Sequence, residues 1–252
     1  MLIAGAVCPH PPLLIPAVLG AAADDPPAEL RELADATALA VGGLLAARPD
    51  LIAVVGGGRA DREYGPAAAG GLHGFGVPVT VGQGKPVLPL PLTVGRWLLE
   101  RAGVLGVPPA VGGRRGAAAL GVLFQVVDRC APASACLKLG AVLAERAPRV
   151  ALLAMGDASA RGAIQEPGAP DPQAQDYDED VAEALAAADA RWLGRLDPAL
   201  DGDLAVAGRA AWQVLAGAAG GRRLHGRLLC MMAPYGVTYL VASWEEPREE
   251  GS

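Results

Sequence analysis

Leu2-Ile3-Ala4-Gly5-Ala6-Val7-Cys8-Pro9-His10-Pro11-Pro12 opens the chain, and its reading decides the fold. Residues 2–7 are an unbroken apolar run, the pattern of a short buried strand. Pro9, Pro11 and Pro12 cannot donate to a sheet ladder, so the strand must end there. His10 is thereby held by stiff neighbours at the carboxyl end of a first strand, the edge at which open α/β sheets bind ligands. The chain has three histidines in all. One at this edge is either a satisfied strand-end residue or part of a site, because imidazole serves both as metal ligand and as acid or base.

Working outward, Asp24-Asp25-Pro26-Pro27 carries helix-start signals: acidic residues at the positive end and proline in the first turn. Leu30, Leu33, Ala34, Leu39 and Leu44 continue a helix to about Arg48, and Pro49-Asp50 ends it. Leu51-Ile52-Ala53-Val54-Val55 is a second continuous apolar strand, closed by Gly56-Gly57-Gly58. Strand, helix and strand in that order, with both strands apolar throughout, predict a parallel sheet buried on two faces.

Residues 65–95 are rich in Gly and Pro, with β-like pieces at Val77–Val79 and Val87–Leu90, and a helix is expected over Thr93–Ala102. A strand follows near Leu120–Val127, then a helix that Ser134 would cap. A third apolar strand, Val150–Met155, runs into Gly156-Asp157-Ala158-Ser159-Ala160. The polar stretch 165–176 reads as a surface loop. Two helices are expected at 178–195 and 200–218, the second exposing Arg209, Trp212 and Gln213. Leu228–Met232 and Val237–Trp244, joined by Ala233-Pro234-Tyr235-Gly236, alternate like a hairpin. The last eight residues are acidic. With no repeat, linker or break in composition, the expectation is α/β: a single domain over residues 1–252, with a central, mostly parallel sheet flanked by helices and an antiparallel C-terminal edge.

At 52% hydrophobic and 19% charged residues, the chain has a globular composition rather than a disordered one. A net charge of −6 argues against nucleic acid or an anionic membrane as partner, since either would require a basic face. No apolar run approaches the roughly 20 residues of a bilayer span. The N-terminus lacks a basic region and its apolar stretch is broken by Pro9, so the expected location is cytoplasmic. The four cysteines have no C-x-x-C spacing and are expected to be reduced.

If the three strands are parallel, the loops at His10, Gly56–Gly58 and 156–160 open at one sheet edge and make a pocket by topology. The glycine triplet lacks both G-x-G-x-x-G and the P-loop lysine, which weighs against a nucleotide. Asp157 is either a metal ligand or base, or a turn-forming residue. Ser159 is a candidate nucleophile, although its surroundings are not the G-x-S-x-G elbow. His73 and His225 read as turn or solvated residues.

Taken together, Ala6-Val7-Cys8-Pro9-His10-Pro11-Pro12-Leu13-Leu14-Ile15-Pro16, the Gly-Asp-x-Ser run after an apolar strand, and Asp197-Pro198…Gly208-Arg209…Trp212-Gln213 resemble the class III extradiol ring-cleavage dioxygenases of the subunit-B-like superfamily, which includes the Memo proteins. The resemblance implies a single α/β domain and, in active members, a non-haem Fe(II) held by two histidines and a glutamate. Open positions on that iron take a catecholic diol and O₂, and a further histidine serves as acid/base. His10 fits the first ligand. The second ligand position reads Gly57-Gly58-Arg59, and the acid/base position reads Ala160. Glu245 and Glu246 are available for the late glutamate. Cys8, Asp61, Glu63 and Asp157 are substitute ligands, and a Cys/His/carboxylate set would favour zinc or copper. The implied function is a non-catalytic or altered-metal relative that binds a small-molecule ligand or a protein partner. The alternative is an active metal-dependent dioxygenase acting on a catechol-like molecule. Subunit organisation in the family implies a homo- or hetero-oligomer.

Overall fold

The computed structural model describes residues 1–106, 120–161 and 172–247. Along the chain these form β1 (Leu2–Cys8), α1 (Pro16–Leu19), α2 (Ala28–Ala46), β2 (Leu51–Gly58), β3 (Arg62–Tyr64), β4 (Ala69–Gly71), β5 (Thr80–Val81), β6 (Pro86–Leu88), α3 (Leu90–Arg101), β7 (Gly121–Asp128), α4 (Ala133–Ala144), β8 (Val150–Met155), α5 (Pro172–Ala186), α6 (Ala190–Leu193), α7 (Leu200–Leu204), α8 (Arg209–Ala219), β9 (His225–Met232) and β10 (Tyr239–Glu245). One sheet has the order β3-β7-β2-β8-β1-β10-β9, and a small second sheet has the order β5-β4-β6.

The four central strands β7, β2, β8 and β1 are parallel. Every residue of β1 and of β8 is buried, which is why both read as uninterrupted apolar runs. β10 pairs antiparallel with β1, and β9 with β10, which gives the expected C-terminal edge. A second antiparallel edge, β3 on β7, lies on the opposite side of the sheet. Its three residues are too short and polar to read as a strand in sequence.

Two apolar layers sandwich the sheet. On one face α2 buries Leu30, Leu33, Thr37, Val41 and Leu44, at helical spacing, and α3 packs beside it. On the other face α4, α5 and α8 bury the larger cluster, which includes Trp212 and Trp244. The approach of α4 to α8 depends on two glycines. A Cβ on Gly140 would lie 2.0 Å from the Val214 carbonyl oxygen, and one on Gly217 would lie 2.1 Å from that of Leu137. Each helix thus presents bare backbone to the other.

Several boundaries differ from expectation. α4 starts at Ala133 after an extended Pro132, so Ser134 sits within the first turn and is not the cap. α5 begins at Pro172, inside the stretch expected to be loop; residues 165–171 of that stretch lie outside the described residues. The helix expected over 178–195 breaks at Ala188, which takes a left-handed φ of 51°. Asp189 then restarts it by accepting the Trp192 N–H at 2.9 Å. The helix expected over 200–218 breaks the same way at Ala205 (φ 52°). Arg209, Trp212 and Gln213 are buried, contrary to the exposed group expected. Of the acidic tail, residues 248–252 lie outside the described residues. No helix among the described residues is long and apolar enough to cross a membrane.

Gly140→Ala should destabilise the protein by about 1–3 kcal/mol or more, because the added methyl meets rigid backbone. Gly42→Ala, at an exposed position in α2 with nothing within 4 Å of the new Cβ, should stabilise it by about 0.5–1 kcal/mol. Urea denaturation of the two variants beside the wild type reads both signs.

Candidate functional site

Four parallel strands deliver four loops to one edge of the sheet. Strand register aligns Cys8 with Met155, Met155 with Gly56, and Gly58 with Asp128. His10, Gly57, Asp157 and Arg129 therefore sit next to one another just beyond the strand ends. Three of these loops are legible in the sequence. The fourth, Asp128-Arg129-Cys130, follows from the same parallel logic once β7 is placed beside β2.

His10 is held by Asp157. Its backbone N–H donates to Asp157 Oδ1 at 2.8 Å, while the ring Nδ1 lies 3.4 Å from the same oxygen. That longer contact is not aligned as a hydrogen bond, and Nδ1 is buried with no other partner. The facing carboxylate favours the tautomer with its proton on Nδ1, which leaves Nε2 as the acceptor nitrogen. Burial pushes the imidazole pKa down, against the pull of Asp157, and Arg129 lowers it further. Burial likewise pushes the Asp157 carboxyl up, with His10 opposing. Burial thus favours the uncharged form of the His10 imidazole.

A cavity of about 650 Å³ lies against this pair, bordered by His10, Gly57, Arg129, Cys130, Asp201 and the Ala205–Ala207 turn, with Pro89–Pro91 from the start of α3. The 205–208 turn closes onto the strand ends through main chain. The Ala207 N–H donates to the Asp157 carbonyl at 3.1 Å, and a Cβ on Gly156 would lie 2.2 Å from Gly208 Cα. A second cavity of about 600 Å³ shares Pro89 and Arg129 with the first and is bordered by Arg59, Asp61, Arg62 and His73.

Arg209 sets this geometry from below. Its Nε donates to Asp201 Oδ2 at 2.6 Å, and Nη1 to the Ala131 carbonyl at 2.9 Å and to Gln213 Oε1 at 2.8 Å. Nη2 donates to the Arg129 carbonyl, and Gln213 Nε2 reaches the Leu196 carbonyl at 2.9 Å. The guanidinium is 1% exposed, yet it neutralises Asp201 and pins the backbone of Arg129.

The other candidates are dispersed. Cys8 is fully buried among Ala4, Ala6, Leu14 and Ile15 on the α2 side, and burial pushes its thiol well above the usual range. Ser159 is fully buried, with its hydroxyl donating to Asp178 Oδ2 at 2.7 Å and its N–H to Oδ1 at 2.9 Å. It ties the 156–160 loop to α5. Asp61 accepts the Asp128 N–H at 2.7 Å and borders only the second cavity. Glu63 pairs with Arg146. Glu245 aligns with Ala4 of β1; because β10 runs antiparallel, its end lies at the sheet edge opposite His10, and Glu246 pairs there with Arg222. His73 and His225 are exposed.

The iron implied by the resemblance does not fit these residues. Among the described residues, no three His, Cys, Asp or Glu side chains converge. His10 and Asp157 supply two donors at most, and one Asp157 oxygen already accepts a backbone N–H. A facial triad needs three ligands with open positions beyond them.

No family model matches the chain, and no curated protein matches it. Among solved structures, the crystal structure of the uncharacterized protein JW3007 from Escherichia coli K12 superposes with a TM-score of 0.51 at 15% sequence identity, covering 96% of this chain and 99% of that one. The likeness extends over the whole architecture and concerns the fold alone.

Arg209→Leu should cost about 3 kcal/mol or more, because it strands the Asp201 carboxylate and unpairs two buried carbonyls. Arg209→Lys should recover only part of that, since one ammonium cannot span four acceptors. Chemical denaturation checks both values.

Proposed function

We propose that this chain is a small-molecule-binding relative of the class III extradiol dioxygenases that has lost ring-cleavage chemistry. The observation that carries the reading is the composition of the strand-end site: an intact cavity around a single imidazole. Gly57-Gly58-Arg59 stands where the resemblance asks for a second histidine, and Ala160 where it asks for the acid/base. A general acid/base contributes on the order of 10²–10⁴-fold to rate, so its absence alone removes most of the expected activity.

What remains suits binding. Asp157 holds the His10 backbone, and His10 borders the cavity. Leu90, Pro91 and Val206 line the same cavity with apolar surface, and Arg129 borders it. Concave, mostly apolar surface with a few placed polar groups is the usual make-up of a small-ligand site.

Gly57 also offers a direct way to test the loss. A Cβ there meets its nearest neighbours, the Ala207 carbonyl oxygen and Arg129 Cβ, at 3.5 and 3.8 Å. These are ordinary contacts, so the backbone here accepts a Cβ without shifting. Purified wild type should hold no stoichiometric Fe(II), Zn(II) or Cu(II) by elemental analysis, even after anaerobic loading, and should give no coloured ring-fission product with ferrous iron and a catechol. Gly57→His should gain zinc affinity that is lost again in Gly57→His/His10→Ala. Near-stoichiometric metal in the wild type that vanishes in His10→Ala would sink this reading in favour of an active metal-dependent oxidoreductase.

A further inference from the structure

The second cavity at the sheet edge has a lining charge opposite to that of the chain. Overall the protein carries −6, yet Arg59, Arg62 and Arg129 border the second cavity with Asp61 as the one carboxylate. Arg129 also borders the His10 cavity. Each carboxylate near these arginines already has one oxygen engaged. Asp61 accepts the Asp128 N–H, Asp201 is paired with Arg209, and Asp157 accepts from His10.

None of the three arginines forms an ion pair among the described residues. Arg62 lies over the Tyr64 ring at 5.2 Å. Arg129 makes one long side-chain contact, from Nε to the Gly58 carbonyl at 3.4 Å. Neither Arg59 nor Arg129 has a carboxylate within 4 Å among the described residues. The backbone under Arg129 is nonetheless fixed at both ends of the residue. Its N–H donates to the Gly58 carbonyl at 3.0 Å, and its own carbonyl accepts from the buried Arg209. An exposed arginine on a fixed backbone, bordering both cavities and with its terminal nitrogens unpaired among the described residues, is arranged for an incoming oxyanion, which it can meet in bidentate fashion.

We propose that Arg129 is the anion-recognition residue of this site, and that the ligand is a small organic oxyanion. Its carboxylate or phosphate group lies on Arg129, with Arg59 contributing from the second cavity. Its organic body fills the apolar cavity and brings a hydroxyl or N–H to His10 Nε2. This assignment rests on the binding function proposed above and names the chemical class of its ligand.

The test is calorimetric titration of the full chain with benzoate, phenyl phosphate and the neutral benzamide. Both anions, or one of them, should bind while benzamide does not, and the tighter anion identifies carboxylate or phosphate as the preferred group. Arg129→Met should weaken binding about tenfold or more, the loss expected of a charge-assisted pair. Arg129→Lys should retain part of the affinity, and Arg195→Met, at an exposed position that borders neither cavity, should change nothing. Arg129 is exposed, so the fold tolerates its replacement, and an unchanged unfolding transition confirms that. Benzamide binding as tightly as the anions, with Arg129→Met unaffected, overturns the anion assignment and leaves cavity binding standing. Binding of none of the three overturns the assignment as well. The underlying reading fails separately, on stoichiometric metal and ring fission.

Discussion

A buried arginine holds the functional edge of this protein together. Removing a guanidinium from water is costly unless its donors are met, and Arg209 meets them with Asp201, Gln213 and the carbonyls of Arg129 and Ala131. These partners come from different segments: the loop after β7, the short helix α7, and α8 itself. One side chain therefore sets the distance between the Arg129 wall of the cavity and the Asp201 wall. The close approach of Gly156 to Gly208 sets the third side, because only a residue without Cβ allows the α7–α8 turn to lie on the end of β8.

The central strands were the most legible part of the sequence. β1, β2 and β8 are buried on both faces, and that burial requires apolar residues at every position. α2 was legible because its buried residues recur at helical spacing between proline-rich ends. The breaks at Ala188 and Ala205 were not, because alanine gives no signal of a left-handed φ. Arg209 and Gln213 read as exposed because their types are usually exposed. Only the partners that tertiary folding brings to them make burial tolerable, and those partners are carbonyls and carboxylates remote in sequence.

The site was partly legible for a similar reason. Prolines around His10 locate it at the strand end from local chemistry alone. Its alliance with Asp157 depends on β1 lying beside β8, a neighbour relation that sequence order does not give. Glu245 was placed with the site because it is late in the chain, whereas the antiparallel direction of β10 sends it to the far edge of the sheet. Arg129 was missed because an arginine after a strand carries no motif. It becomes conspicuous only when two cavities meet at it.

The strand-end site thus combines a buried imidazole beside a carboxylate, an arginine without a carboxylate partner, and a cavity that no third metal ligand among the described residues completes. The central claim is that His10 Nε2 is a bare hydrogen-bond acceptor and not a metal ligand. With three histidines in the chain, long-range ¹H–¹⁵N correlation of the imidazole rings reports this directly. The expected spectrum shows the His10 ring neutral, with its proton on Nδ1 and Nε2 unprotonated, unchanged by one equivalent of Zn(II). A zinc-dependent shift of Nε2 at that stoichiometry, absent in His10→Ala, would contradict the account.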